Sequence, residues 1–102
     1  MRRVMVRYRV KPDQVAENEE LVRGVYKELE QAQPDGFRYA TFKLEDGVSF
    51  LHVAEHAGDR APLVDLPAFA RFQADLRGRC DELPVVTGLE RIGSFRLFEG
   101  AS

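Results

Sequence analysis

The chain opens on a strict alternation. Across residues 3–10, Val4, Val6, Tyr8 and Val10 fall on one side and Met5, Arg7 and Arg9 on the other, which is the period of a β-strand. After Pro12 and Asp13 the period lengthens. Val15, Leu21, Val22, Val25, Tyr26 and Leu29 then share one face of a helix. Glu17, Glu19 and Glu20 stand in its first turns, where the helix dipole favours negative charge, and Pro34-Asp35-Gly36 ends it. Two further alternating runs, 37–45 and 48–55, are joined by Asp46-Gly47, the preferred pair of a two-residue type I′ hairpin turn. That turn sets Lys43 opposite Phe50, Thr41 opposite His52 and Tyr39 opposite Ala54. One hairpin face then carries Ala40, Phe42, Leu44, Leu51 and Val53. The other carries Phe37, Tyr39, Thr41, Lys43, Val48, Phe50, His52 and Ala54.

A polar loop over 56–62 leads to a second helix, with Asp65 expected as its N-cap and Pro67 tolerated in the first turn. Phe69, Phe72, Leu76 and Cys80 recur at helical spacing, and Leu83-Pro84 is expected to stop the run. The last element is extended, somewhere within 85–98, with Leu89, Phe95 and Leu97 competing against Ile92 and Phe98 for the buried register. The order is β-α-β-β-α-β: one α+β domain over 1–102, a ferredoxin-like antiparallel sheet with two helices on one face. With the aliphatic face (Phe42, Leu51, Val53) assigned to the helices, Phe37, Tyr39, Val48 and Phe50 are left on the bare side. So many large apolar groups call for cover. The expectation is a homodimer, two bare faces pairing into a dimeric α/β barrel around a cavity.

Composition narrows the partners. The chain has 102 residues, 44% hydrophobic and 31% charged, which suits a globular domain rather than a disordered segment. Its formal net charge of −2 argues against a nucleic-acid partner. No apolar run is long enough to span a membrane and the basic N-terminus lacks a signal-peptide core, so a cytoplasmic location is expected. One cysteine and two histidines offer neither a disulfide nor a spaced ligand set, so no metal is expected.

Tyr39-Ala40-Thr41-Phe42-Lys43, Asp46-Gly47-Val48-Ser49-Phe50-Leu51-His52-Val53-Ala54-Glu55-His56 and the Pro67-Ala68-Phe69 opening of the second helix carry a resemblance. Over nearly its whole length the chain resembles the antibiotic biosynthesis monooxygenase-like proteins of the dimeric α/β-barrel superfamily. The resemblance implies a homodimer and a small-molecule ligand, with oxygenation that needs no cofactor. In that family the third strand bears an asparagine and, four residues later, a tryptophan, and a histidine of the second strand faces the same cavity. Here His52 takes the asparagine position, His56 the tryptophan position and Lys43 the histidine position. The chain has no tryptophan, so the activity does not transfer with the fold.

The residues themselves suggest a site on the Lys43 and His52 face. Cross-strand neighbours lie about 5 Å apart, which puts His52 within reach of Thr41, with Lys43 diagonal to it. A histidine walled by Phe50 is expected to stay neutral at pH 7 and could take a phenolic proton, with Lys43 or Arg7 stabilising the charge that develops. Tyr39, Thr41, Phe50, His56 and Arg7 complete the candidate binding set. The rival reading is a non-catalytic small-molecule-binding or dimerisation module, in which His52 only hydrogen-bonds Thr41. A haem-degrading relative lacks support because the second helix has no histidine. The faint RNA-recognition outline at 47–53 keeps only Phe50 of its stacking aromatics.

Overall fold

The computed structural model describes residues 1–97, so Phe98 lies outside the described residues. The elements are β1 (Arg2–Val10), α1 (Val15–Ala32), β2 (Phe37–Lys43), β3 (Ser49–His56), α2 (Pro67–Ala74), α3 (Leu76–Arg79) and β4 (Cys80–Gly88). Single 3₁₀ turns at Pro12–Gln14 and Pro62–Asp65 lead into the helices. The four strands form one antiparallel sheet in the order β2-β3-β1-β4, with α1 packed on α2. This is the expected ferredoxin-like order.

The hairpin pairs as expected, with Lys43 on Phe50, Thr41 on His52 and Tyr39 on Ala54. Its turn differs from the two-residue form. Gly47 N–H donates to Leu44 O (3.0 Å) with Gly47 at φ +78°, and Asp46 Oδ1 accepts the amides of Val48 and Ser49. The aspartate side chain satisfies amides that a tighter turn would have paired, and so the longer loop keeps the same register. The Ser49 hydroxyl and these two amides hold the Asp46 carboxyl down at about 2.

The main correction concerns which face the helices cover. Tyr8, Val10, Phe50, Phe72 and Leu76 form the buried core, with Phe37 and Tyr39 packed against it. Phe50 is only 2% exposed. The aromatic face of the hairpin therefore lies beneath the helices, and the aliphatic face is the bare one. Phe42 is 44% exposed there, beside Leu51, Val53 and Met5. Alternation sorts residues into two faces but does not say which is inside when both hold large apolar groups.

The second half of the chain departs further. Asp65 does not cap α2. It sits in the preceding 3₁₀ turn and pairs with Arg60, while Glu28 of α1 accepts the Ala68 amide (2.8 Å) at the helix start. The helical run breaks at Asp75, and Cys80 begins β4 instead of ending a helix. Leu83-Pro84 lies inside that strand. Arg7 pairs with Val85 but Arg9 with Glu82, so the partner strand carries an extra residue at the proline. A bulge on an edge strand is where a residue lacking an N–H is tolerated.

The face assignment gives a direct test. Phe50→Glu places a carboxylate in the core, at a cost above about 4 kcal/mol, and should abolish cooperative urea unfolding. Phe42→Glu, on the bare face, should retain the fold. Equal tolerance of the two variants by circular dichroism would reverse the assignment.

Candidate functional site

His52 lies at the centre of β3 with its side chain under the helices, 5% exposed. Its ring stacks on Tyr8 (5.4 Å between centroids) and Tyr39 (5.8 Å), and Phe72 of α2 leans over it at 5.6 Å. A polar side chain so enclosed needs partners on both nitrogens. It has them: Tyr8 Oη at 2.8 Å from Nε2, and Tyr39 Oη (2.8 Å) and Thr41 Oγ1 (2.9 Å) at Nδ1. Burial lowers the imidazole to about 4, so it is neutral at pH 7.

The chain of hydrogen bonds continues through the core. Arg79, also buried, donates from Nε to Asn18 Oδ1 (3.1 Å), and Asn18 Nδ2 donates to Tyr8 Oη (2.9 Å). Arginine can only donate, which sets the direction of every bond beyond it. Asn18 must present its oxygen to Arg79 and its amide to Tyr8. Tyr8 then has His52 Nε2 as the acceptor for its own proton, which leaves Nδ1 carrying the imidazole hydrogen towards Tyr39 and Thr41. Tyr26 Oη closes the far end on Thr41 Oγ1 at 2.8 Å. Desolvation raises Tyr8 and Tyr39 well above ordinary phenols and pushes Tyr26 up to about 12, so all three remain protonated.

Arg79 has a second role. It follows α2, and its Nη2 donates to Phe72 O (2.9 Å), one of the carbonyls left open at that helix's end, while the guanidinium lies 5.5 Å over the Phe72 ring. The break at Asp75 lets the chain turn this side chain inward.

Open space reaches the cluster from one side. A groove of about 220 Å³ runs between the end of α1 and β2, floored by Phe37 and Tyr39 and walled by Tyr26, Leu29 and Pro34. The rings of Tyr26, Tyr39 and Phe37 stack in sequence at 5.3 and 5.6 Å. Tyr39 is thus both the groove's inner wall and a hydrogen-bond partner of His52.

The expected site residues divide. Thr41 and Tyr39 do meet His52. Phe50 shares their face, but it is core, stacked on Tyr8 at 5.6 Å. Lys43 stands at the surface with Nζ on Glu19 Oε2 (3.1 Å) and is not among the partners of His52. Arg7 is exposed on the opposite side of the sheet, so it cannot serve His52. His56 is buried four positions along β3, roughly 13 Å away at strand rise, with Nδ1 unpartnered among the described residues. Sequence reasoning missed Tyr8, Asn18, Tyr26 and Arg79. Asn18 carried a legible signal, since it lies between Val15 and Val22 at helical spacing, a polar residue in an apolar stripe. Arg79 carried none.

No protein-family model matches the chain, and no curated protein matches it in sequence. Solved structures do match in fold. A crystal structure described as an antibiotic biosynthesis monooxygenase superposes with TM-score 0.74 at 18% identity, covering 91% of this chain and all (100%) of that one. Rv0793 from Mycobacterium tuberculosis gives 0.72 at 17% identity, with 91% and 96% covered. A point mutant of SnoaB, a cofactor-independent oxygenase from Streptomyces nogalater, gives 0.65 at 18% identity, with 94% and 97% covered. The chain is therefore antibiotic biosynthesis monooxygenase-like in fold.

The buried imidazole predicts an acid-sensitive fold. In the unfolded chain His52 titrates near 6.5, in the native protein at about 4. Between those values only the unfolded state takes the proton, so stability present above pH 6.5 is lost as pH falls towards 4. The loss is roughly 3 kcal/mol from this residue. In His52→Gln that share of the slope should vanish from urea-unfolding free energies measured across pH 4–7. Identical slopes in the two proteins would show that His52 is not held neutral.

Proposed function

We propose that the protein is a cofactor-independent monooxygenase-like enzyme acting on a small phenolic or polyketide-like compound, with His52 as its base. The observation that carries this reading is a neutral imidazole held against phenol hydroxyls beside an aromatic groove. The fold shared with a cofactor-independent oxygenase agrees with it. Tyr39 Oη, 2.8 Å from Nδ1, marks where a substrate phenol would sit once the Tyr39 ring swings into the groove. In this open state, unlike the closed one, water admitted with the substrate carries the imidazole hydrogen from Nδ1 to Nε2, and the Tyr8 hydroxyl turns its own proton away from the ring, which frees Nδ1 to accept. His52 takes the hydroxyl proton, and the substrate, as its anion and then its oxygenated intermediate, supplies all four electrons that reduce dioxygen. One oxygen atom ends on carbon and the other leaves as water, taking an RH2 substrate to R=O. The positive charge behind this chain is Arg79, acting through Asn18 and Tyr8, in place of Lys43 or Arg7.

Magnitudes restrict the substrate. Moving a proton from an ordinary phenol near 10 to an imidazole at about 4 is uphill by roughly 8 kcal/mol. Water admitted with the substrate would bring His52 back towards 6.5 and cut this to about 5 kcal/mol. Hydroxyls acidified by a conjugated carbonyl fit best.

A non-catalytic small-molecule-binding or dimerisation module is the second reading. It is favoured by the closed state, in which both imidazole nitrogens are satisfied. The groove of about 220 Å³ also falls below the usual ligand-site range of about 300–1,000 Å³. Oxygen uptake with acidic phenols and quinols, without flavin or metal, separates the two. The enzyme predicts uptake that drops 10²–10⁴-fold in His52→Ala and at least tenfold in Arg79→Lys. Uptake unchanged in His52→Ala would remove this mechanism. Saturable phenol binding without uptake would favour the module.

We also propose that two copies pair through the bare face, with Phe42, Leu51, Val53, Met5 and Val85 at the centre; Val85 is 62% exposed in the single chain. Light scattering at micromolar concentration should give twice the monomer mass. Val85→Glu should halve it while retaining the circular dichroism of the fold, and a monomeric parent protein would dispose of this arrangement.

A further inference from the structure

The bare face is chemically uneven. The strand register lays three rows across it: Phe42, Leu51, Arg7 and Val85; then Ala40, Val53, Met5 and Thr87; then Arg38, Glu55 and Arg3. In the last row Glu55 collects three guanidinium groups. Arg3 Nε and Arg91 Nη2 (3.0 Å) donate to its Oε2, and Arg38 Nε stands 4.0 Å from Oε1. Arg91 belongs to the segment that follows β4. Leu89 N–H extends the strand by donating to Arg3 O (2.9 Å), and the segment then returns over this end of the sheet, tied by Arg91.

Between segment and sheet lies a cavity of about 540 Å³. Ala40, Val53, Leu89 and Leu97 give it apolar walls. Its charged lining is Arg3, Arg38 and Arg91 against Glu55 and Glu90, which leaves one positive charge in excess. Arg91 spends one of its five N–H groups on Glu55 among the described residues, so the cavity keeps strong donors for an anion. Its volume falls within the range of small-molecule sites.

We propose that this cavity binds an organic anion with an apolar body, an aromatic or aliphatic carboxylate or sulfonate. The apolar part lies against Ala40 and Val53, and the acid group takes donors of Arg91 and Arg38 beside the Glu55 carboxylate. Arg3, the most enclosed of the three, stays with Glu55 and holds the row together. The site is on the opposite side of the sheet from the His52 imidazole, so it stands whether or not that imidazole is catalytic. It adjoins the apolar rows proposed to receive the second copy and shares Val53 with them.

The probe is 1-anilinonaphthalene-8-sulfonate, titrated by fluorescence into the 102-residue protein, with N-phenyl-1-naphthylamine as the same aromatic body without the acid. The sulfonate should saturate at one per chain and bind at least tenfold more tightly than the neutral amine. In Arg38→Ala/Arg91→Ala that preference should disappear. Lys43→Ala, which removes a cation from the helix-covered side, should leave it unchanged. Both arginine side chains are exposed, and circular dichroism checks that the double variant stays folded. No saturable binding, equal affinity for the two probes in the parent protein, or a preference that survives in the double variant would each overturn the proposal.

Discussion

The arrangement of this protein centres on His52, a histidine buried in the core with both nitrogens hydrogen-bonded. His52 is neutral because it is dry, and a dry imidazole without partners would cost several kcal/mol. Tyr8, Tyr39 and Thr41 meet that need from the neighbouring strands. Tyr8 passes the requirement to Asn18 on α1, and Asn18 passes it to Arg79. The polar chain thus links the sheet to the first helix and to the segment after the second, and adds to the apolar contacts that place α1. Arg79 ends the chain with a charge that no carboxylate neutralises among the described residues; an amide oxygen, a helix-terminal carbonyl and an aromatic face share it instead.

The sheet separates two kinds of surface. Under the helices a polar network sits inside aromatic packing, reached through the Tyr26 and Tyr39 groove. On the open side aliphatic rows give way to a row of arginines around one glutamate. Desolvation works to raise the Glu55 carboxyl, and the bonds from Arg3 and Arg91 still hold it below its ordinary value. The first surface suits chemistry that excludes water. The second suits assembly and the capture of anions.

Fold similarity at identities below 20% carries the topology and not the side chains of a site. The sheet order and hairpin survive because alternation and turn chemistry suffice to specify them. A catalytic set depends on individual side chains. Here the histidine at the centre of the third strand comes with a tyrosine, an asparagine and an arginine, and any activity has to be argued from that constellation.

The sequence by itself determined the element order through α1 and the hairpin, the pairing of Thr41 with His52, and the company of Tyr39, Thr41 and Phe50 on one face. Those features rest on local periodicity and one turn, so neighbouring residues are enough to read them. Which face the helices cover was left to the tertiary structure. Both faces carry large apolar groups, and the buried network that selects one of them joins residues as far apart as Asn18 and Arg79. The start of β4 was hidden for a related reason. Phe69, Phe72, Leu76 and Cys80 keep helical spacing, but the chain turns after Asp75 and Arg79 points inward. A helical period describes the side chains of one segment; only the packed core, with the hydrogen bonds that its enclosed polar groups need, decides where that segment must end.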